Sequence, residues 1–395
     1  MTRRRQLVAR SQQIVASVAF ATVSRLPQRR SISWVVGVHE LASMVIQIGK
    51  AIPDSFTVVD REHAFYEATY DRVLEKKAGR RHLVRNLFLG PWTLGSASAR
   101  ALGVIYVGER GFLSACDDER AWELEFLRRR GRAAVVVFTG NDIRSPQLMT
   151  ELAATTGFDN IGAILARSGA PFDTPGYEAV RERRAAVCDR LASAIFSASV
   201  DQLSHLRSEV HPFPYLYPDA NFLRSTDKFT DLSEIRIVHA PSNPLLKGTA
   251  AVREAIGRLL EVHPNVTYQE LTDVDNAAVR AALADAHIVV NQLHAYMPGV
   301  FGIEALAHRC VMLCSADPAL EPAISGADGA WIVATADTLF DRLNELLSAP
   351  DKLEAQAERG YDWALSNASQ SGRGAILRDE LSALSQAANA SQLGR

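Results

Sequence analysis

Two side chains have the type and the setting to hold one charged ligand between them: Lys247 in "HAPSNPLLKGT" (residues 239–249) and Glu304 in "MPGVFGIEALA" (residues 297–307). Lys247 lies in a glycine-containing turn. Before it, residues 235–239 alternate like a strand, and after it residues 250–261 carry apolar side chains at helical spacing. A strand, a tight polar turn with a lysine and then a helix N-terminus make a place for an anion. Around Glu304 the pattern repeats: a strand ends near Leu293, a loop with Pro298 and two glycines comes next, and a helix starts about Phe301 with Glu304 in its first turn. The helix dipole stabilises a carboxylate there, so capping alone accounts for it. Paired with the Lys247 turn it suggests more. A lysine and backbone amides bind phosphates and a carboxylate accepts two sugar hydroxyls, which is the chemistry of a nucleotide diphosphate held by its pyrophosphate and ribose.

Such a pair meets only if both segments lie at the carboxyl edge of one sheet. From Ser31 onward short apolar runs alternate with helical patterns, as in an α/β fold with parallel strands. "SISWVVG", "DSFTVVD", "ALGVIYVG" and "AAVVVFTG" read as strands. "ELASMVIQIGKAI", a charged stretch over 64–77 and again near 81–88, and "DDERAWELEFLRRRG" read as helices. A second series begins near Arg236: strands in "IRIVHAP", "NVTYQEL", "HIVVNQL", "CVMLCS" and "GAWIVAT" alternate with helices from Ala250, over 276–286 and around 302–308. Each strand-to-helix junction places loop residues where open α/β domains bind ligands. The proline- and aromatic-rich "HPFPYLYPDANF" suits a linker, helices over 337–348 and 351–365 close the second half, and the Ala/Ser/Asn/Gln tail after Leu384 is expected to fray. The expected division is a basic arm (1–30), a Rossmann-like domain (31–205), a linker (206–225), a second Rossmann-like domain (226–370), and a C-terminal helix with a frayed tail (371–395).

Bulk composition agrees. At 395 residues the chain exceeds the size at which one core keeps growing, so two domains are expected. A net charge of -2 argues against nucleic acid as the main partner. Four cysteines, Cys116, Cys188, Cys310 and Cys314, are too few and scattered for a disulfide framework or a zinc site, and Cys310 and Cys314 read as buried thiols in a strand. A reducing cytoplasm fits. The first 39 residues hold Arg3, Arg4, Arg5, Arg10, Arg25, Arg29 and Arg30 with no acid before Glu40. The apolar run 14–23 is too short to span a bilayer, and the "SRLPQRR" after it offers no convincing signal-peptide cleavage site. Two readings stand: a basic amphipathic arm resting on an anionic membrane surface, peripheral at its inner face, or a disordered tail.

"HAPSNPLLKGT" together with "DAHIVVNQLHAYMPGVFGIEALAHRCVML" resembles the C-terminal half of group 1 glycosyltransferases of GT-B fold, the branch with an HAPSN-x3-KGT turn and a G-x-F-x-x-E-A-M-A-like segment. "DDERAWELEFLRRRGRAAVVVFTGNDIRSP" is similar to that family's charged helix, strand and G-S/N-D-I-R loop, so the resemblance covers most of residues 31–370. It implies two facing Rossmann-like domains, the first on the acceptor side. It further implies a UDP-, GDP- or similar nucleotide-sugar substrate, no tightly bound cofactor, no metal, retention of anomeric configuration, and a glycan, glycolipid or other lipid-linked acceptor. Lys247 would contact the donor phosphates and Glu304 the ribose. Ser242, Asn243, Gly248 and the segment Gly299, Val300, Phe301 and Gly302 would complete the donor site. The chain departs from the pattern at Pro244, where an arginine is common; at Asn291, for an aspartate; at Tyr296, where the first of two paired glutamates falls; at Arg309 and Val311; and at Thr139, often a histidine. These departures keep a second class open, a catalytically inactive GT-B scaffold that binds a partner.

On the N-terminal side, Asn141, Asp142 and Arg144 come directly after the strongest strand. Asp142 could orient an acceptor hydroxyl and Arg144 a donor phosphate, or Asp142 could cap the next helix and pair with Arg144. Gly37, Val38 and His39 read as the turn after the first strand, with glycine permitting close approach to a diphosphate and His39 contacting the sugar or merely opening a helix. "GVHEL" lacks the second histidine of a zinc-hydrolase motif, and no G-x-S-x-G elbow supports a serine hydrolase.

Overall fold

Runs of Val, Ile and Ala buried on both faces build two parallel sheets, as strands sandwiched between helices require. The computed structural model describes residues 3–27, 31–61, 68–75, 83–223 and 227–393. Its first half runs α1 (Arg3–Val23), β1 (Trp34–Val38), α2 (Met44–Ala51), β2 (Phe56–Val59), β3 (Arg72–Val73), α3 (Leu83–Ser98), β4 (Gly103–Val107), α4 (Ala121–Arg128) and β5 (Ala133–Val137). Then come α5 (Pro146–Thr156), α6 (Ile161–Arg167), α7 (Pro175–Leu191), β6 (Ala194–Ser197) and β7 (His211–Pro212). The second half runs β8 (Ile235–His239), α8 (Pro244–Lys247), α9 (Thr249–Val262), β9 (Val266–Glu270), α10 (Asn276–Asp285), β10 (Ile288–Val290), α11 (Gly299–Ala307), β11 (Val311–Cys314) and β12 (Ile332–Val333). Helices α12 (Leu339–Leu347), α13 (Leu353–Asn367) and α14 (Gly372–Leu393) close the chain.

The sheets order as β3-β2-β1-β4-β5-β6-β7 and β12-β11-β10-β8-β9. Strand order reverses between β1 and β4 in the first and between β8 and β10 in the second, so crevices open beyond the carboxyl ends of those pairs. The loop after β1 carries His39, the short helix α8 after β8 ends on Lys247, and the loop after β10 leads to Gly299. Topology alone therefore delivers the candidate residues to the edges where ligands bind.

Three expectations need correction. The stretch expected to be helical over 64–77 lies partly outside the described residues, and its described part holds β3, which pairs with β2 through Val58 and Val59. A strand of two residues is too short to carry a periodic signal. The N-terminal segment is no tail: α1 packs along α3, where Gly95 has no β-carbon to collide with the Ala16 carbonyl and Gln12, fully buried, donates to the Leu87 carbonyl (2.6 Å) and accepts from the Ala115 amide (3.0 Å). Small residues on one face of α1, Ala9, Ala16 and Ala19, permit that close approach. The tail after Leu384 continues as α14, which returns to the first sheet. Leu377 and Leu381 are buried with Trp34, Val36 and Val135, worth about 1.5–3 kcal/mol each.

The halves are fastened by Glu321. Its carboxylate, with no exposed surface, accepts from the amides of Ser199 (3.0 Å), Val200 (2.7 Å) and Asp201 (2.8 Å) in the loop after β6, and from Ala323 (3.0 Å) on its own side. Asp201 then accepts from the Tyr296 amide (2.9 Å) across the joint, and the Ile161 amide donates to the His294 carbonyl (2.8 Å). Removing the carboxylate leaves four amides without their acceptor, so Glu321→Ala is expected to cost about 3 kcal/mol in thermal or denaturant unfolding, whereas Glu345→Ala on the exposed face of α12 is expected to change stability by less than about 0.5 kcal/mol.

Candidate functional site

Two cavities of about 870 and 520 Å³ adjoin in the cleft between the sheets, sharing Ala42, Met44, Tyr215 and Val300 in their walls. The larger takes Glu304, Asn276 and Arg280 from the second half and Gln47 and Lys50 from the first. The smaller takes His39, Thr139, Asn141, Asp142 and Arg144 from the first half and Gln292 and Gly299 from the second. Tyr215, in the connecting stretch, lines both.

Glu304 stands in the second turn of α11, since that helix begins at Gly299 rather than near Phe301, and so lies beyond the reach of the dipole argument. It is 6% exposed and accepts from the Asn276 side chain at 2.8 Å. Burial pushes its carboxyl up from the ordinary value, while the Asn276 bond and the Arg280 charge oppose that. Asn276 opens α10, which Asp275 caps by accepting from the Ala278 amide (2.8 Å). The fold thus brings a desolvated acceptor, an amide and a guanidinium to one wall.

Lys247 ends the single turn of α8, capped by Asn243, whose side chain accepts from the Leu246 amide (3.2 Å). Gly248 comes next at φ 74, where a β-carbon would stand 3.0 Å from that of Leu293. The Lys247 ammonium donates to the Gln292 side-chain oxygen, and Gln292 in turn donates to the Met297 carbonyl. Burial pushes Lys247 down to about 8, with Asp201 too weak to restore it. Lys247 lines neither cavity itself: its charge reaches the smaller one through Gln292, while Glu304 faces the larger, and the 299–300 segment stands between. The two therefore share one edge of the second sheet and adjacent cavities rather than one pocket. Gln292, which sequence reasoning had not singled out, is the link.

The glycine-rich segment divides by role. Gly299, at φ 68, donates its amide to the Tyr215 hydroxyl at 3.0 Å, and Val300 faces both cavities. Phe301 instead packs on the apolar cluster that holds Val238, Leu283 and Val289. Gly302 is buried for packing, since a β-carbon would stand 2.7 Å from the Asn291 amide nitrogen. Ser242 is exposed, and neither it nor Asn243 lines the cleft cavities. His239, the first letter of the turn motif, is structural: its ring meets the Val290 carbonyl (2.8 Å) and the Thr249 hydroxyl (2.9 Å), tying β8 to β10 and α9.

On the other wall Gly37 and Val38 lie within β1, not in a turn. Gly37 is needed because a β-carbon would meet the Val58 carbonyl, and Val38 is buried in the core. His39 alone of the three faces the cleft, its Nδ1 3.6 Å from Asp60. Asp142 spends its carboxylate on the turn after β5, accepting from the Thr139 amide (3.0 Å) and hydroxyl (3.1 Å) and the Gly140 amide (2.8 Å). It neither caps α5, which Ser145 does, nor pairs with Arg144. Arg144 binds Asp201 at 2.7 Å and the Asn141 side chain at 2.5 Å. Glu40 holds the His39 loop: buried at 4% exposure, it accepts from the Val45 (3.2 Å) and Ile46 (3.3 Å) amides and the Tyr70 hydroxyl (2.8 Å). It thereby caps α2 where Ser43, at φ 65, makes no side-chain cap. An acid just before a helical run was the signal for it. Among the described residues, no three His, Cys, Asp or Glu side chains converge to hold a metal ion.

No family model and no curated protein matches this sequence. Solved structures do. Sucrose-phosphate synthase from Thermosynechococcus elongatus superposes over 91% of this chain and 100% of its own, with a TM-score of 0.58 at 12% identity. The chain has the GT-B fold. Anabaena HepE in complex with UDP-glucose superposes over 89% of this chain and 99% of its own, with a TM-score of 0.52 at 10% identity, and its UDP complex with a TM-score of 0.50. At such identities the GT-B likeness fixes the architecture, and the chemistry has to be argued from the side chains.

Glu40→Ala leaves two buried amides and a hydroxyl without their acceptor, so it is expected to lower the unfolding free energy by about 1–3 kcal/mol. Denaturant melts read the loss, and Glu40→Gln, which keeps one acceptor, is expected to recover part of it.

Proposed function

We propose that this protein transfers a sugar from a nucleoside-diphosphate donor to a glycan, glycolipid or other lipid-linked acceptor. The observation that carries the reading is the buried Glu304 carboxylate at the cavity wall, one turn past the Gly299–Val300 backbone, with the desolvated Lys247–Gln292 pair beside it. Glu304 takes the two ribose hydroxyls, for which Asn276 is a placeholder that can remain as a third partner. The diphosphate lies along residues 299–300 and draws the Lys247 ammonium from Gln292, exchanging a neutral acceptor for an anionic one. The GT-B arrangement supports this, as do the UDP-glucose and UDP complexes of HepE.

The transfer breaks the bond between the anomeric carbon and the phosphate oxygen. Charge grows on the departing diphosphate, and a fixed ammonium with preorganised amides stabilises it without reorganising. The acceptor oxygen bonds the same carbon from the His39 side of the cleft, and its proton passes to the leaving phosphate as the sugar is delivered with retention. No step in this scheme calls on a metal ion. Two facing halves suit the reaction, because closure excludes the water that would hydrolyse the donor. Such a reaction suits a protein of the cytoplasm, free or at the inner face of the membrane.

A thermal-shift panel of UDP-, GDP- and ADP-sugars is expected to return stabilisation by one nucleotide class, with Lys247→Ala and Glu304→Ala each weakening affinity by about 10–100-fold. No shift with any donor would leave an inactive scaffold as the better reading.

The pH dependence comes from Lys247. A diphosphate binds the ammonium form, and the free group titrates near 8, so affinity is full below pH 8 and falls up to about tenfold per unit above it. Lys247→Arg, charged throughout, is expected to flatten that limb in calorimetric titrations with UDP; an unchanged slope would assign the ionisation to another group.

A further inference from the structure

We propose that the outer face of α1, together with the first turns of α3, is a docking surface for an anionic lipid bilayer. Among the described residues, the three most exposed large apolar side chains lie there, Val84, Leu7 and Ile14. On α1, Leu7, Ile14 and Val18 are 64%, 63% and 53% exposed and fall on one face at spacings of seven and four. On α3, Leu83 and Val84 are 55% and 68% exposed and Trp92 43%, with Val84 and Trp92 two turns apart on one stripe. A soluble helix packed on its neighbour by Ala9, Gln12, Ala16 and Ala19 has no folding reason to carry a second apolar face.

Charge selects the occupant. Arg3, Arg4 and Arg10 are exposed on or beside the apolar stripe of α1, Arg85 is exposed on α3, and α1 contains no acidic residue. An apolar stripe flanked by arginines, with a tryptophan at its edge, is the arrangement that lies in the interface of an anionic membrane. A protein partner of ordinary composition would not require a helix of four arginines without an acid, of which, among the described residues, Arg5 alone is paired with a carboxylate, that of Asp117.

The surface is aimed. Because β3 and β4 share a parallel sheet, the helix between them starts at the carboxyl edge, so Leu83 and Val84 lie at the cleft side of the first half. A cavity of about 500 Å³ opens there. Arg5 of α1 and Asn86 of α3 line it, as do Asp60, Arg110 and Glu109, and Glu109 also lines the smaller cleft cavity beside His39. A bilayer on this face would therefore lie at the acceptor end of the cleft and present a lipid-linked acceptor to it. That consequence rests on the sugar-transfer reading, whereas the docking does not.

Flotation of the full-length protein with vesicles tests the proposal. Phosphatidylcholine vesicles containing about one third phosphatidylglycerol are expected to retain the protein at least about tenfold better than phosphatidylcholine alone. Binding is expected to fall at least about tenfold in Leu7→Asp/Ile14→Asp/Val18→Asp and in Arg3→Glu/Arg4→Glu/Arg10→Glu. Trp92 emission is expected to shift to the blue on binding, a change that Trp92→Phe removes. All these side chains project into solvent, and nucleotide thermal shifts on the same variants report whether the donor site is intact, so that loss of docking and loss of donor binding are read separately. Absence of vesicle binding, equal binding to both vesicle types, or unchanged binding in both triple variants would overturn the proposal. So would a lipid-free dimer abolished by the aspartate variant, which would make the face a protein interface.

Discussion

Glu321 joins the two halves at the loop after β6, a second tie beside the packing of α14 on the first sheet. One buried carboxylate accepting three consecutive amides from the opposite half is a rigid joint, and it fixes the loop whose Asp201 holds both Arg144 and the Tyr296 amide. The same joint limits how the cleft can be composed. His39, Asn141 and Arg144 approach Gln292 and Gly299 because the loop after β6 is pinned, and α14 reinforces the arrangement by running back under the first sheet. Closure of such a cleft on a ligand has to pivot about this joint rather than break it, since four hydrogen bonds to one charge would be lost together.

Two polar groups at the centre of the cleft are satisfied by neutral partners. Lys247 rests on an amide oxygen, and the Gly299 amide rests on a phenol. Such contacts cost the apoprotein little strain and can be traded for phosphate oxygens at a gain, because a charge-assisted bond is roughly twice as strong as a neutral one. Desolvation tells in the same direction. An ammonium held in a poorly hydrated site without a carboxylate partner is destabilised until an anion arrives, and a buried carboxylate such as Glu304 gains similarly from two hydroxyl donors. Asp142 and Arg144, by contrast, are tied into charged or multiple bonds and serve the shape of the wall.

Much of the fold was legible because hydrophobic periodicity and turn chemistry agree along the chain. The strands from "SISWVVG" to "GAWIVAT" and the helices over 276–286 and 351–365 fall where the pattern put them, within a residue or two at most ends. Helices α5 to α7 and strand β6 were not assigned, and the rest of what escaped was decided by long-range contact. β3 is two residues long and owes its strand geometry to β2; the helix α1 is specified by the alanines that meet Gly95 of α3; Gly37, Gly302 and Phe301 look like ligand-site residues in a motif yet pack against Val58, Asn291 and the apolar cluster that holds Leu283. At the site, the residue types at positions 247 and 304 pointed to phosphate and pentose, but nothing local could place Gln292 between the lysine and the cleft, or Tyr215 on the amide of Gly299. Those links join segments tens of residues apart, and only the sheet order brings them together.

The claim on which the functional account stands is that Lys247 is a partly desolvated ammonium awaiting a diphosphate. Nitrogen-detected NMR titration of the lysine side chains, with the Lys247 signal assigned through Lys247→Arg, measures it directly. The predicted result is a pKa near 8 in the free protein that rises by about one unit or more when UDP or another nucleoside diphosphate binds. A Lys247 that titrates near 10.5, the ordinary lysine value, and does not respond to any nucleoside diphosphate would contradict it.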